Sequence, residues 1–206
     1  MTDKSHWENI YTNKSVQDVS WYREHLNTSI DLILKCALPL DAKVIDIGGG
    51  ASTLADDLCA LGYVDVSVLD ISKTALEKAR QRLGASANRI QWLEGDLTKV
   101  QLPIEHYDLW HDRALFHFLT DPRAQDAYVE AATRAVRSGG FIIIATFSPE
   151  GPAKCSGLPV QRYDAASLAR KFPQCVLLDE KREDHKTPAG ASQSFTYVRL
   201  QKRPKT

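Results

Sequence analysis

The chain has 206 residues, enough for one domain or one domain with a small appendage. Hydrophobic residues make up 43% and charged residues 25%, which fits a globular protein that buries a core and not a disordered one. Its 26 basic residues balance 26 acidic ones for a net charge of +0, which argues against nucleic acid as the main partner, since phosphate binding draws on a basic excess.

In chain order, Trp7, Ile10 and Tyr11 sit at helical spacing, and a short helix is expected over Ser5 to Tyr11, followed by a polar stretch to Ser20. Leu26, Ile30, Ile33, Leu34 and Ala37 predict a helix from Leu26 to Leu38, ended by Pro39. The period then changes. Lys43 to Ile47 (KVIDI) reads as a buried parallel strand running into Gly48, Gly49 and Gly50. Ser52 or Thr53 can cap a helix to about Leu61, where Gly62 stops it. Val64 to Leu69 is a second strand, Ser72 to Leu83 a capped helix ended by Gly84, and Ile90 to Leu93 a third strand. Tyr107 to Trp110 is a fourth strand, and a helix follows from about Pro122 to Val136. Gly139-Gly140 turns into FIIIATF, the fifth strand, and a Pro- and Gly-rich loop runs from Ser148 to Val160. A short helix over Asp164 to Lys171 precedes Val176 to Arg182 and Ser194 to Leu200, two runs joined through Thr187-Pro188-Ala189-Gly190 as an antiparallel hairpin.

Strand and helix thus alternate five times before the hairpin. That pattern demands an α/β fold, a doubly wound, mostly parallel sheet with helices on both faces. In such sheets a ligand sits beyond the carboxyl ends of the strands. No apolar run is long enough to span a bilayer, and the N-terminus MTDKSHWENIY lacks an apolar signal core. A cytoplasmic protein with no membrane partner is therefore expected. Cys36, Cys59, Cys155 and Cys175 match neither a disulfide framework nor a zinc site, so free thiols and no bound metal are expected.

The main cofactor signal is VIDIGGGAS. Glycines between a strand and a helix let backbone approach a ligand closely, or simply make a tight turn. Asp70, about 20 residues on, ends the second strand, where a carboxylate accepts from ribose hydroxyls or caps the helix at Ser72. Glu94-Gly95-Asp96-Leu97 follows the third strand as an acidic turn that can accept from a purine amine, or as a surface turn. Two features argue against a nicotinamide dinucleotide. The glycines depart from G-x-G-x-x-G, with Thr53 at the sixth position, and Asp46 stands where it would repel a pyrophosphate but attract a sulfonium nucleoside with an amino-acid tail.

On these residues the span from Lys43 to Leu200 resembles class I S-adenosylmethionine-dependent methyltransferases. Asp46-x-Gly48-x-Gly50 looks like their first motif, Asp70 like their ribose-binding acid and Glu94-Gly95-Asp96 like their adenine turn, with Ser52 where many members carry a third glycine. The resemblance implies a single domain with a seven-stranded sheet whose last strand is antiparallel, preceded by an N-terminal helical cap over 1–40, with the methyltransferase domain over 41–206. It implies S-adenosyl-L-methionine as cofactor, held by Asp46, Gly48, Gly49, Gly50, Asp70, Ile71, Gly95, Asp96 and Leu97. It places YDLWHDRALFHFL in the loop after the fourth strand, facing the transferable methyl group, with His111, Asp112 and His117 as candidate catalytic groups and Arg113 as a substrate contact. Asp112-Arg113 is similar to stretches in thiopurine methyltransferase-like enzymes and in some protein-lysine methyltransferases, with Ala114 where those have glycine. Each candidate also has a structural reading: His111 as a cap or a partner of Asp112, Asp112 as a backbone acceptor, His117 as a core histidine.

Cys155, on the long loop, is a candidate for a soft acceptor atom such as sulfur, selenium or arsenic, and Tyr22, with Trp7, Tyr11 and Trp21, for covering the site. The leading expectation is methyl transfer to a heteroatom of a small molecule, by a monomer or homodimer. A protein-lysine methyltransferase and a non-catalytic cofactor-binding module are the alternatives.

Overall fold

The computed structural model describes residues 4–204, so residues 1–3 of the expected N-terminal cap lie outside it. Five parallel strands with three intervening helices form the core of the fold: β1 (Lys43–Ile47), α3 (Leu54–Ala60), β2 (Asp65–Asp70), α4 (Lys73–Leu83), β3 (Ile90–Glu94), β4 (Tyr107–Arg113), α5 (Pro122–Ala135) and β5 (Val136–Phe147), with no α-helix between β3 and β4 where the sequence pattern implies strict alternation. They are preceded by α1 (Lys4–Asn13) and α2 (Asn27–Leu34). They are followed by a small hairpin of β6 (Lys154–Cys155) and β7 (Leu158–Pro159), then α6 (Ala165–Arg170), β8 (Cys175–Lys186) and β9 (Ser192–Lys202).

The sheet has seven strands in the order β3-β2-β1-β4-β5-β9-β8. β1 pairs in parallel with β2 and β4, and β9, the last strand, inserts antiparallel between β5 and β8. The order reverses at β1 and β4, which opens a crevice over their carboxyl ends.

Side chains alternate across the pleat and give two cores. Ile45, Ile47, Trp110, Ile142, Ile144 and Leu200 face Tyr128 and Ala132 of α5 and Leu168 of α6. Val44, Val66, Val68, Leu109 and Ile143 face Leu32, Leu58 and Leu76 of α2, α3 and α4. Helix starts follow local chemistry. Asp121 accepts from Arg123 N with Pro122 in the first turn of α5, and Ser72 Oγ accepts from Ala75 N to cap α4.

Several boundaries differ from the sequence reading. α2 stops at Leu34, because Ala37 takes a φ of 48° and closes the turn before the apolar period ends. β4 continues to Arg113: Asp46, Ile47 and Ala145 of the neighbouring strands pair with His111, Asp112 and Arg113. The loop after Ser148 carries the β6–β7 hairpin, whose turn uses Ser156 and Gly157 at positive φ. No helix among the described residues is long and apolar enough to cross a membrane.

Candidate functional site

Two joined cavities open over the carboxyl ends of β1, β2, β3 and β4. Counting the space open to solvent at their mouths, the larger spans about 870 Å³ and the smaller about 480 Å³. Trp21, Gly48 and Arg113 line both and form the junction.

The larger cavity draws its floor from the strand tips: Asp70 and Ile71 after β2, and Gly95, Asp96 and Leu97 after β3. Asp70 is 7% exposed and accepts from Ser72 N at 2.7 Å. Its carboxyl is pushed up to about 7, first by burial and then by the nearby carboxylates of Asp46 and Glu8. Burial also opposes ionisation of Asp96, but hydrogen bonds from Thr98 N and Thr98 Oγ1 to Asp96 Oδ1 (3.0 and 2.7 Å), together with Lys99, outweigh it and hold its pKa below the usual range.

The glycine turn fixes the spacing between the acids. A Cβ on Gly49 would run into the Asp46 carboxylate, and one on Gly50, whose φ is +44°, would stand 2.7 Å from Asp70 Oδ2. Both glycines are needed for the two carboxylates to flank the turn.

The roof is aromatic. Trp7 and Tyr11 of α1 line the cavity with Trp21 and Phe118. Trp7 meets Trp21 and Phe118 edge-on at 5.8 and 5.0 Å, and Trp21 Nε1 donates to Tyr11 Oη at 3.2 Å. α1 is pinned there by Glu8, which accepts from Ser72 Oγ, Lys73 N and Thr74 N at the start of α4, and by an ion pair between Lys4 and Glu94. Burial would raise the pKa of Glu8, but the hydrogen bonds from Thr74, Lys73 and Ser72 outweigh it and keep it low.

Asp46, Gly49, Tyr22, Arg23 and His111 line the smaller cavity. His111 neither caps a helix nor touches Asp112. Its Nδ1 donates to Asp46 Oδ1 at 2.7 Å, and its Nε2 stands 2.9 Å from Ser29 Oγ, all of it buried. Arg113 donates from Nε to Tyr197 Oη and from Nη1 to the Trp21 carbonyl, with its guanidinium 4.6 Å over the Phe195 ring.

The remaining candidates lie differently. Asp112 and His117 are fully buried and contribute to neither cavity wall. Asp112 accepts from Leu115 N, Phe116 N and Tyr128 Oη, so both its oxygens hold the chain that follows β4; burial pushes it up to about 6. His117 Nδ1 accepts from Phe147 N, and burial, with Arg113 nearby, drives the ring down to about 3, keeping it neutral. Cys155 lines the larger cavity at the tip of the β6–β7 hairpin, where burial pushes its thiol up to about 11. Gly50 lies behind the wall, against Asp70. No local pattern marks Glu8, Ser29, Glu183 or Tyr197, which meet the residues of the site only through the packing of distant elements.

The arrangement suits an elongated ligand. One part meets an apolar chamber with carboxylates at its edge, and a shorter polar part meets Asp46. Residues 44–140 match the family described as Methyltransferase domain. A Mus musculus protein, "eEF1A lysine and N-terminal methyltransferase", is 26% identical over 141 residues, covering 66% of this chain and 20% of its own length. The chain therefore spans about a fifth of that relative. A Coxiella burnetii (strain Dugway 5J108-111) protein, "Ubiquinone/menaquinone biosynthesis C-methyltransferase UbiE", is 29% identical over 157 residues, covering 72% of this chain and 59% of its own. The solved structure "Conversion of a Disulfide Bond into a Thioacetal Group during Echinomycin Biosynthesis" shares the fold, with a TM-score of 0.79 at 18% identity over 98% of this chain and 93% of that one.

Proposed function

We propose, for a chain that carries a methyltransferase domain of the class I, seven-stranded kind, that it transfers a methyl group from S-adenosyl-L-methionine to a soft heteroatom of a small molecule. The residues fit the nucleoside. Asp70 and the Gly95-Asp96-Leu97 turn offer acceptors to its ribose and adenine, Ile71 an apolar contact, and Asp46 with the Gly48-Gly49 backbone a place for its charged tail. When bound, the sulfonium supplies an electrophilic methyl carbon, and the protein's task is to align a nucleophile with it and keep water out.

The observation that carries the acceptor reading is the roof. Trp7, Tyr11 and Trp21 close the larger cavity over an apolar interior, which admits a compact molecule more readily than a protein side chain on its backbone. Arg113 and Cys155 form the wall beside that roof, and Tyr22 that of the adjoining chamber. Cys155 stays protonated at neutral pH and serves as a soft contact rather than a nucleophile. Asp112 and His117 hold backbone, and His111 holds Asp46, so none of the three stands free as a general base. An acceptor that needs no base, such as a thiolate or another soft anion or lone pair, matches that lack.

Protein-lysine methylation is favoured by the names of several relatives, among them the mouse, Bos taurus and Drosophila melanogaster proteins called "eEF1A lysine and N-terminal methyltransferase" or its homolog. Incubation with methyl-labelled S-adenosylmethionine and a panel of thiols, amines, metalloids and cell lysate decides between them. Label in small molecules is the expected result. Label confined to protein bands would overturn the acceptor reading, and tight nucleoside binding with no labelled product would favour a non-catalytic module.

A further inference from the structure

β8 ends the sheet on one side. β9 pairs with one of its edges, and no strand among the described residues pairs with the other. The strand is long, 12 residues from Cys175 to Lys186. Unpaired backbone N–H and C=O groups over that length are a template for another strand, and an edge is commonly blunted by charges that repel a second copy of it. The charges on this edge are of both signs. Its first part carries Val176, Leu177 and Leu178, which are 43%, 38% and 41% exposed. The rest, DEKREDHK over 179–186, pairs regularly with β9 after a register shift beside Leu178.

Alternate residues of a strand share a face. Glu180, Arg182, Asp184 and Lys186 stand opposite Val198, Thr196, Ser194 and Ser192, so they lie on one face, and each is exposed. Their signs run minus, plus, minus, plus. Antiparallel two-fold pairing of this edge with its own copy, centred on Glu183, sets Arg182 against the copy's Asp184 and Glu180 against its Lys186, each contact made twice by symmetry. Centring on Arg182 instead would oppose Arg182 to itself and Glu180 to Asp184. Centring on Asp184 would oppose Asp184 to itself and Arg182 to Lys186. Like charges meet in both of those registers.

The other face tolerates the favoured register, because its charges are already matched within the chain. Asp179 pairs with Lys35 and Arg199, Lys181 with Asp31, and the central Glu183 with both Arg23 and Arg113. The same register brings Leu178 level with the copy's exposed Pro188. We propose that the free edge of β8 pairs with β8 of a second copy in the antiparallel register centred on Glu183, giving a homodimer whose sheet runs on through both copies. The proposal is independent of the nucleoside reading. A contact confined to one strand and its flanks is small, so the dimer forms and dissociates with concentration.

Sedimentation velocity of the full chain over a range of concentrations tests it. The wild type should dimerise at micromolar concentrations, less strongly as salt is raised. Asp184→Arg sets like charges against the copy's Arg182 twice over and should raise the dissociation constant by about tenfold or more. Exchanging the two charges, Arg182→Asp together with Asp184→Arg, renews the opposite pairs in this register and should recover the dimer. Both positions are exposed, so neither change touches the core. A wild type that is monomeric at every concentration would overturn the proposal and leave the edge to a strand of another protein. A dimer undisturbed by Asp184→Arg, or one that the charge exchange fails to restore, would overturn it as well.

Discussion

Replacing Asp70 with asparagine removes a buried charge from the floor of the larger cavity but leaves an oxygen to accept the Ser72 N–H. In the fold the Asp70 carboxyl is raised from 3.8 to about 7, by burial first and then by Asp46 and Glu8. The fold therefore binds this proton more tightly than the unfolded chain does. The stability it confers is full below about pH 4 and is lost as pH rises to about 7. A shift of this size corresponds to roughly 4 kcal/mol, at about 1.4 kcal/mol per unit. Asp70→Asn escapes that cost, so at pH 8 it should be more stable than the wild type by on the order of 2–4 kcal/mol, and at pH 4 nearly equal to it. Ligand binding should move the other way. Hydrogen bonds to a charged acceptor are worth about 1.5–3 kcal/mol, so S-adenosylhomocysteine affinity should fall by about tenfold or more. Denaturant unfolding at both pH values and calorimetry at pH 8 measure the two effects. A variant that loses stability equally at pH 4 and pH 8, or one that binds the nucleoside as the wild type does, would refute the reasoning.

Gly49→Ala should abolish measurable nucleoside binding, because its Cβ meets Asp46 and Val68 Cγ1 at once; retained binding by calorimetry would show that the turn relaxes freely. Tyr128→Phe removes the 2.6 Å hydrogen bond to Asp112 Oδ2 and so raises that carboxyl further above about 6. Its destabilisation, about 1–2 kcal/mol at pH 8, should shrink at pH 5, where Asp112 is increasingly protonated, and a penalty independent of pH in urea titrations would contradict this. Glu8→Ala releases α1 from the start of α4 and should speed proteolytic cleavage within residues 4–20, an effect that saturating S-adenosylhomocysteine partly reverses. Unchanged cleavage would mean that the aromatic contacts alone hold the roof.

The parallel sheet was legible because its strands are apolar runs bounded by glycines, and KVIDI entering three glycines marks both a strand and its turn. The acids that line the two cavities, Asp46, Asp70 and Asp96, were legible for the same reason, since each sits at or just beyond a strand end. The extension of β4 through His111, Asp112 and Arg113 was not. Three polar residues in a row lack a strand signature, and only their pairing with β1 and β5 and their burial make them strand. The roles of those residues were equally hidden. The partner of His111 is Asp46, 65 positions away, and Arg113 is held by Tyr197 and Glu183 from strands formed much later in the chain. No local pattern carries such information. The aromatic N-terminus was visible as composition, whereas the Glu8 contact that seats it on α4 depends on where the two helices cross.

On the function proposed above, the crevice over β1, β2 and β4 recognises a sulfonium nucleoside and not a dinucleotide. Titrating the purified chain with S-adenosylhomocysteine and separately with NAD tests it most directly. Saturable binding of the first, with none of the second at concentrations about a hundredfold higher, is the predicted result. Uptake of NAD without any response to the nucleoside would contradict the account.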